Sequence, residues 1–244
     1  MTSRNIRPGV AHNPPMFTSA QIEMLKYLAL AAMFIDHTNR VLGLDMLWMQ
    51  AVGRMAFPLF ALVLSYNFLY NTRDTLHYAM RLLLLGAFSQ LPYLSAFEFG
   101  AWQLNIMFTL AFGLLIVICI DKAREPDISS IGREAYSLTA MLLFCVGGWF
   151  VEYNYMGLAL IGSLILWYRT RRTSTMLLVV ASLLVVNVAG GMAMMLVTSA
   201  VIPLVGIVHR INTGYTRGSR VFFYVFYPVH LAVLVMVKEL FYAT

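Results

Sequence analysis

Apolar residues run along this chain in long blocks, separated at fairly even intervals by short polar stretches. Nine blocks can be drawn, with ends good to a few residues: 22–43, 47–71, 77–97, 103–120, 136–151, 153–168, 174–190, 191–208 and 221–242. Blocks of about 20 residues match the roughly 30 Å of hydrocarbon in a bilayer. A backbone in lipid must pair its own N–H and C=O groups, so each block reads as a helix. The pattern predicts an all-α, polytopic integral membrane protein with about nine transmembrane helices. The fifth and sixth blocks are short and are parted by Gly147, Gly148 and Glu152, and the seventh and eighth run together across Gly190 and Gly191. Eight or ten spans fit the same hydropathy. No internal repeat stands out. Residues 1–21 read as a flexible cytoplasmic tail and 22–244 as a single transmembrane domain.

Composition agrees. With 60% apolar and 11% charged residues in 244, no room remains for a sizeable soluble domain. The first twenty residues are polar and proline-containing, with no apolar core, so no cleavable signal peptide is read and the first span acts as its own targeting signal. Cys119 and Cys145 lie inside apolar blocks near opposite ends of successive spans. That placement predicts no disulfide and two small buried hydrophobes.

The net charge of +6 matters through its placement. Arg4 and Arg7 lie in the tail and Arg73 in the second-to-third loop. Lys122, Arg124 and Arg133 lie two loops on, then Arg169, Arg171 and Arg172, then Arg210, Arg217 and Arg220. The intervening loops hold no Lys or Arg. The positive-inside rule therefore puts the N-terminus and all the basic loops in the cytoplasm. Charge spread over topology-setting loops forms no single stripe, which argues against nucleic acid as a partner.

Lys26, Arg40, Arg54, Arg81 and Lys238 remain inside the spans, together with Asp36, His37 and His230. Each ionisable group near the bilayer centre costs at least about 2.5 kcal/mol, so such groups tend to face the bundle interior and mark a site. Bland readings exist for most of them. Lys26, Arg81 and Lys238 lie near span ends, where they can snorkel. Asp36 and Arg54 can form a structural ion pair, and His230 can be a buried histidine bonded to a carbonyl. His37, directly after an intramembrane acid, is the hardest to explain away.

Lys26 and His37 are eleven residues apart. At 100° per residue they fall within about 20° of one helix face, separated by about 16 Å of rise. A ligand with a phosphate-bearing head at Lys26 and a thin arm reaching His37 suits that stripe, and acetyl-coenzyme A has that shape. Arg81 lies at the same level on the third span and can join a phosphate clamp, with Arg73 beside it in the loop. His37, with an ordinary pKa near 6.5, can take a proton from an attacking amine or hydroxyl. Asp36 is taken with His37 as catalytic, although on a regular helix it points about 100° aside, toward an i,i+4 pair with Arg40 rather than toward His37. Arg54 is a second candidate partner. Among the polar residues of the other spans, Asn67, Tyr70, Gln90, Asn105, Thr109 and Asn187, only Asn105 is taken as a cofactor contact. Arg40, Arg54 and His230 are taken as acceptor-side residues. No metal site is expected, because His37, Asp36 and His230 make a thin ligand set. No nucleotide-binding, metalloprotease, redox or serine-hydrolase motif is present.

Four stretches in order along the chain carry a resemblance: "LKYLALAAMFIDH" (25–37), "GRMAFPLFAL" (53–62), "YAMRLLLLGAFSQLPY" (78–93) with "LNIMFTL" (104–110), and "YVFYPVHLAVL" (224–234). They resemble the TraX family of conjugation-system membrane proteins, associated with N-terminal acetylation of pilin. The Lys26-to-His37 spacing also resembles the basic-x10-His feature of the wider membrane acyltransferases, where the basic residue is usually Arg. The resemblance implies acetyl-CoA as donor, a pilin amine as acceptor, and a place in the bacterial inner membrane. His37 would be general base or a transient acetyl carrier. O-acetylation of an envelope glycan, a non-catalytic pilus assembly factor and a proton-coupled transporter are the alternatives.

Overall fold

The computed structural model describes residues 13–97, 102–211, 218 and 220–242. Helix α1 (Ser19–Val41) opens on a capping box, with Thr18 accepting from the Gln21 N–H and Gln21 accepting from the Thr18 N–H. The second apolar block divides into α2 (Leu47–Gly53) and α3 (Ala56–Tyr70). Next come α4 (Thr75–Ala96), begun by an Asp74 cap, and α5 (Ile106–Ala123), begun by an Asn105 cap. The fifth block becomes α6 (Ser130–Leu142), a π-helical turn (Leu143–Gly147) and the short α7 (Gly148–Phe150). Helices α8 (Asn154–Thr170) and α9 (Thr173–Val185) follow. After a 3₁₀ turn at Val188–Gly190 and a Gly191 at φ +80°, the chain continues as α10 (Gly191–Ser199), α11 (Val201–Arg210) and α12 (Arg220–Tyr242). The described residues contain no strand, only one isolated bridge between Leu104 and Val151.

Four stretches of described residues are long and apolar enough to cross a membrane: Leu47–Tyr70, Ile106–Ala123, Gly191–Arg210 and Phe222–Phe241. Helices α1 and α4 are long but less apolar. Helix α1 carries Gln21, Glu23, Lys26, Asp36, His37, Asn39 and Arg40, most of them turned inward. The most deeply buried side chains belong to the centre of the bundle, among them Leu25, Phe57, Leu114, Ile161 and Tyr227. Helices α6, α9 and α10 instead expose Met141, Leu142, Leu177, Leu178 and Met192. Such a broad apolar coat is a liability in water but suits lipid.

Hydrogen bonds tie the helix ends into two polar layers. In one, Arg169 meets Asp121 through two guanidinium nitrogens, Arg171 donates to the Tyr70 hydroxyl at 3.3 Å, and Gln21 donates to the carbonyls of His209 and Ile211. This layer gathers the described basic loops. In the other, Asn39 accepts from the Met46 N–H, Asn105 bonds Gln90, and Asn187 bonds Thr198.

Two expectations change. The tail is not free as far as residue 21. Phe17 is buried, its carbonyl accepts the Tyr66 hydroxyl, and Asn13 donates to the Arg169 carbonyl, because the capping box turns the chain back onto the basic layer. Cys119 is buried as expected, but Cys145 is exposed on the outer coat, where the π-helical turn rotates it away from the bundle. Both thiols are free. Arg4, Arg7 and Arg217 lie outside the described residues.

The loop reading makes a direct prediction. In a Cys145→Ser background, cysteines placed at Ser129 and Thr173, both in the basic layer, should resist an impermeant thiol reagent in intact cells and react after lysis. Labelling of both in intact cells would reverse the orientation.

Candidate active site

The site is built on α1. Positions Lys26, Leu30, Met33 and His37 follow one another at three- and four-residue steps, so they line one face. A cavity of about 150 Å³ runs along this face from Lys26 to Met33, between α1, α3, α4, α5 and α12. Lys26, Leu30, Met33, Asn67, Tyr78 and Tyr227 are among its lining residues. Met33 lies one turn short of His37, and the Tyr227 ring lies 6.4 Å from the His37 ring, centroid to centroid.

His37 is buried, and His230 of α12 meets it. His37 Nδ1 lies 2.8 Å from His230 Nε2. The ring centroids are 5.0 Å apart and the planes differ by 9°, as an in-line N–H···N bond between nearly coplanar rings requires. His230 Nδ1 lies 2.8 Å from the Phe226 carbonyl oxygen. A carbonyl only accepts, so His230 Nδ1 carries a hydrogen. In the neutral ring its Nε2 then accepts, and His37 Nδ1 must donate. This order leaves the lone pair of a neutral His37 on Nε2, where a general base needs it. Phe97 closes another side, its ring 5.1 Å from that of His37.

Asp36 faces away from His37, as the helix angle required. Arg40 Nη1 lies 3.6 Å from Asp36 Oδ2 and 4.0 Å from Glu152 Oε1, and its guanidinium sits 4.4 Å from the centre of the Phe97 ring. Arg54, between α2 and α3, acts electrostatically on both carboxylates. Gly53 is packed so tightly on Asp36 that any Cβ there would fall onto the carboxylate. The backbone is held in turn by Asn187, which donates to the Arg54 carbonyl at 3.2 Å.

Lys26 stands at the mouth of the cavity, paired with Glu23 and 4.5 Å from the centre of the Phe223 ring. Arg81 is exposed on α4, one turn beyond the cavity-lining Tyr78, and its Nε donates to the His77 carbonyl at 3.3 Å. Arg73 is exposed just before α4. Asn105 departs from its expected role. Fully buried, it caps α5 and donates to the Gly86 carbonyl at 2.8 Å and to Gln90 Oε1 at 2.9 Å. Both amide hydrogens and the oxygen are thus committed to capping α5 and joining it to α4. His230, expected on the acceptor side, instead orients His37. Among the described residues no group of three His, Cys, Asp or Glu side chains is arranged to hold a metal ion.

Three participants carry little or no signal in the residue order. Glu152 reads there only as a separator between short blocks, although an acid in an otherwise apolar hairpin is a signal of the same kind as Asp36. Glu23 and Tyr227 give no signal without knowing what they face.

The sequence profile described as TraX protein matches residues 21–238, from the first turn of α1 to late α12. The chain belongs to the TraX family. Protein TraX of Escherichia coli (strain K12) is 30% identical over 228 residues, covering 90% of this chain and 88% of that protein. A second Escherichia coli TraX is 28% identical with the same coverage. The probable fimbrial assembly protein FimC, serogroup H1, of Dichelobacter nodosus is 27% identical over 241 residues, covering 88% and 94%. The relatives thus include TraX proteins and a protein named for fimbrial assembly, and the family match takes in all four polar groups of the site: Lys26, the His37–His230 pair, the Asp36–Arg40–Glu152 cluster and Arg54. No solved structure matches the chain.

Proposed function

We propose that this TraX-family chain is an acetyltransferase of the bacterial inner membrane, crossing it nine times with the N-terminus and basic loops in the cytoplasm. It moves an acetyl group from cytoplasmic acetyl-CoA to the N-terminal amine of a pilin subunit. The observation that carries this reading is the cavity along one face of α1, which begins at Lys26 and ends at Tyr227 beside the His37–His230 pair. A long thin arm with an anionic head at the basic layer would follow that path. Lys26, with Arg81 and Arg73 near the mouth, would hold the phosphates, exchanging Glu23 for them.

His37 Nε2 then faces the thioester. As the neutral amine forms its C–N bond to the acetyl carbon, the C–S bond breaks and its electron pair leaves on sulfur. His37 Nε2 removes the amine proton and returns it to that sulfur, giving an acetamide and a free thiol. An acetyl-His37 intermediate is the second route through the same residue. A pilin acceptor agrees with the fimbrial assembly name of one relative.

The test is direct. Purified protein in lipid nanodiscs, given labelled acetyl-CoA and pilin with a free N-terminus, should increase the intact mass of pilin by one acetyl group. Label passing to envelope glycan instead would move the activity to O-acetylation, and no transfer to either would leave an assembly role. Lys26→Ala should raise the KM for acetyl-CoA more than it lowers kcat, because the phosphates are held alike in ground and transition states. Lys26→Arg should keep or improve donor binding. An unchanged KM in Lys26→Ala would return Lys26 to a snorkelling anchor.

A further inference from the structure

The cavity along α1 has a polar end and an apolar bore. Lys26, Asn67, Tyr78 and Tyr224 line it toward the ends of α1, α3, α4 and α12 that lie nearest the basic layer. One turn deeper the lining changes to carbon and sulfur: Leu30 and Met33 follow Lys26, Leu64 and Phe60 precede Asn67, and Leu82 and Leu85 follow Tyr78. The polar end holds uncommitted groups. Asn67 Oδ1 accepts from Asn71 Nδ2 at 2.8 Å, which leaves the Asn67 NH2 as the free end of that amide. No hydrogen bond ties this NH2, or the hydroxyl of Tyr78 or Tyr224, to the described residues. The Tyr78 hydroxyl lies close enough to Tyr224 and Arg81 for both to act on it electrostatically.

We propose that Asn67 and Tyr78 are specificity-determining residues for the donor, hydrogen-bonding the hydroxyl and the first amide of a phosphopantetheine arm whose phosphate is held at Lys26. The order of groups along the arm supports this. Directly after the phosphate come a quaternary carbon, a hydroxyl and an amide, so the polar part of the arm stays beside the polar end of the cavity. The Asn67 NH2 donates to the amide carbonyl, and the Tyr78 hydroxyl pairs with the hydroxyl of the arm. Methylenes follow, suited to the bore, and the second amide comes further in, toward Tyr227, which carries the remaining hydroxyl on the lining. Met33 lies about 10 Å deeper than Lys26, so the cavity is long enough to draw the arm out. A phospholipid chain also brings a phosphate, but it leaves the Asn67 and Tyr78 groups unmatched, at a cost in a desolvated site. The adenosine part of coenzyme A is not what these residues read, so any phosphopantetheine thioester meets the same contacts. This inference rests on the acetyltransferase reading for its purpose, but binding can be measured without turnover.

The experiment is equilibrium binding to the full-length protein in nanodiscs. The probes are S-acetyl-4′-phosphopantetheine and octyl phosphate, which has the phosphate and an apolar chain but neither hydroxyl nor amide. The wild type should bind the first at least about 10-fold tighter, the scale of two net hydrogen bonds. Asn67→Leu and Tyr78→Phe keep most of the side-chain bulk. Each should weaken S-acetyl-4′-phosphopantetheine by about 3- to 10-fold and leave octyl phosphate unchanged. Equal or tighter binding of octyl phosphate by the wild type overturns the inference and makes the cavity a lipid-chain site. A full preference retained in both variants overturns it too, and loss of both probes in a variant makes that residue structural. If the preference and its loss are seen but no acetyl transfer occurs with any acceptor, the arm contacts stand and the acetyltransferase reading falls. If transfer occurs and both variants bind the arm like the wild type, the reverse holds.

Discussion

His37→Ala is expected to lower acetyl transfer by about 10²–10⁴-fold, the usual worth of a positioned acid–base group. Donor affinity should be preserved, because in the proposed reading the phosphates would be held at the basic layer around Lys26, three turns away. The variant should insert and fold, since it removes a costly polar group from a buried, mostly apolar niche formed by Phe97, Tyr227 and Met33. The decisive comparison is transfer rate against acetyl-CoA affinity in one purified preparation. Full transfer in His37→Ala would make the histidine pair structural. Lost expression with normal activity per folded molecule would say the same.

His230 should show the second largest effect, and its pattern should separate an orienting role from simple packing. In the structure, His230 Nε2 accepts from His37 Nδ1 and so holds the proton off His37 Nε2. His230→Ala frees His37 to adopt either tautomer and rotate, which should reduce kcat about 10- to 100-fold, less than loss of the base itself, with little change in donor KM. His230→Gln offers an amide oxygen near the same point in space and should recover much of that loss. His230→Phe fills the volume but offers no acceptor, so it should behave like the alanine variant. If Phe and Gln restore activity equally, packing rather than orientation is what His230 supplies.

Much of this architecture is visible in the order of residues. Apolar blocks of bilayer length mean helices because lipid offers the backbone no partner, and every block corresponds to helical structure. The eleven-residue interval puts Lys26 and His37 on one face because helical pitch is a local property, and the cavity runs down that face as far as Met33, one turn short of His37. The Asp36–Arg40 pair is legible for the same reason, being separated by one turn of one helix. Intramembrane charges stand out in a sequence because hydrocarbon makes them expensive, so hydropathy alone singles out Lys26, Asp36, His37 and Arg40 on α1, with Arg54 and His230.

What the sequence leaves open concerns contacts between distant segments. His37 and His230 are 193 positions apart, and only the packing of α12 on α1 decides that one orients the other. Asn105 looks like a free polar residue in a span, yet the approach of α4 places Gly86 and Gln90 around it and uses all its hydrogen bonds. Glu152 gains a role because the α7–α8 turn folds in beside Arg40. Helical periodicity and hydropathy are properties of a few neighbouring residues, so the sequence alone determines helices, their polar faces and the even spacing of basic loops. Which face meets which, and so which donor finds which acceptor, depends on the close packing of side chains from remote helices, and only the tertiary structure decides it.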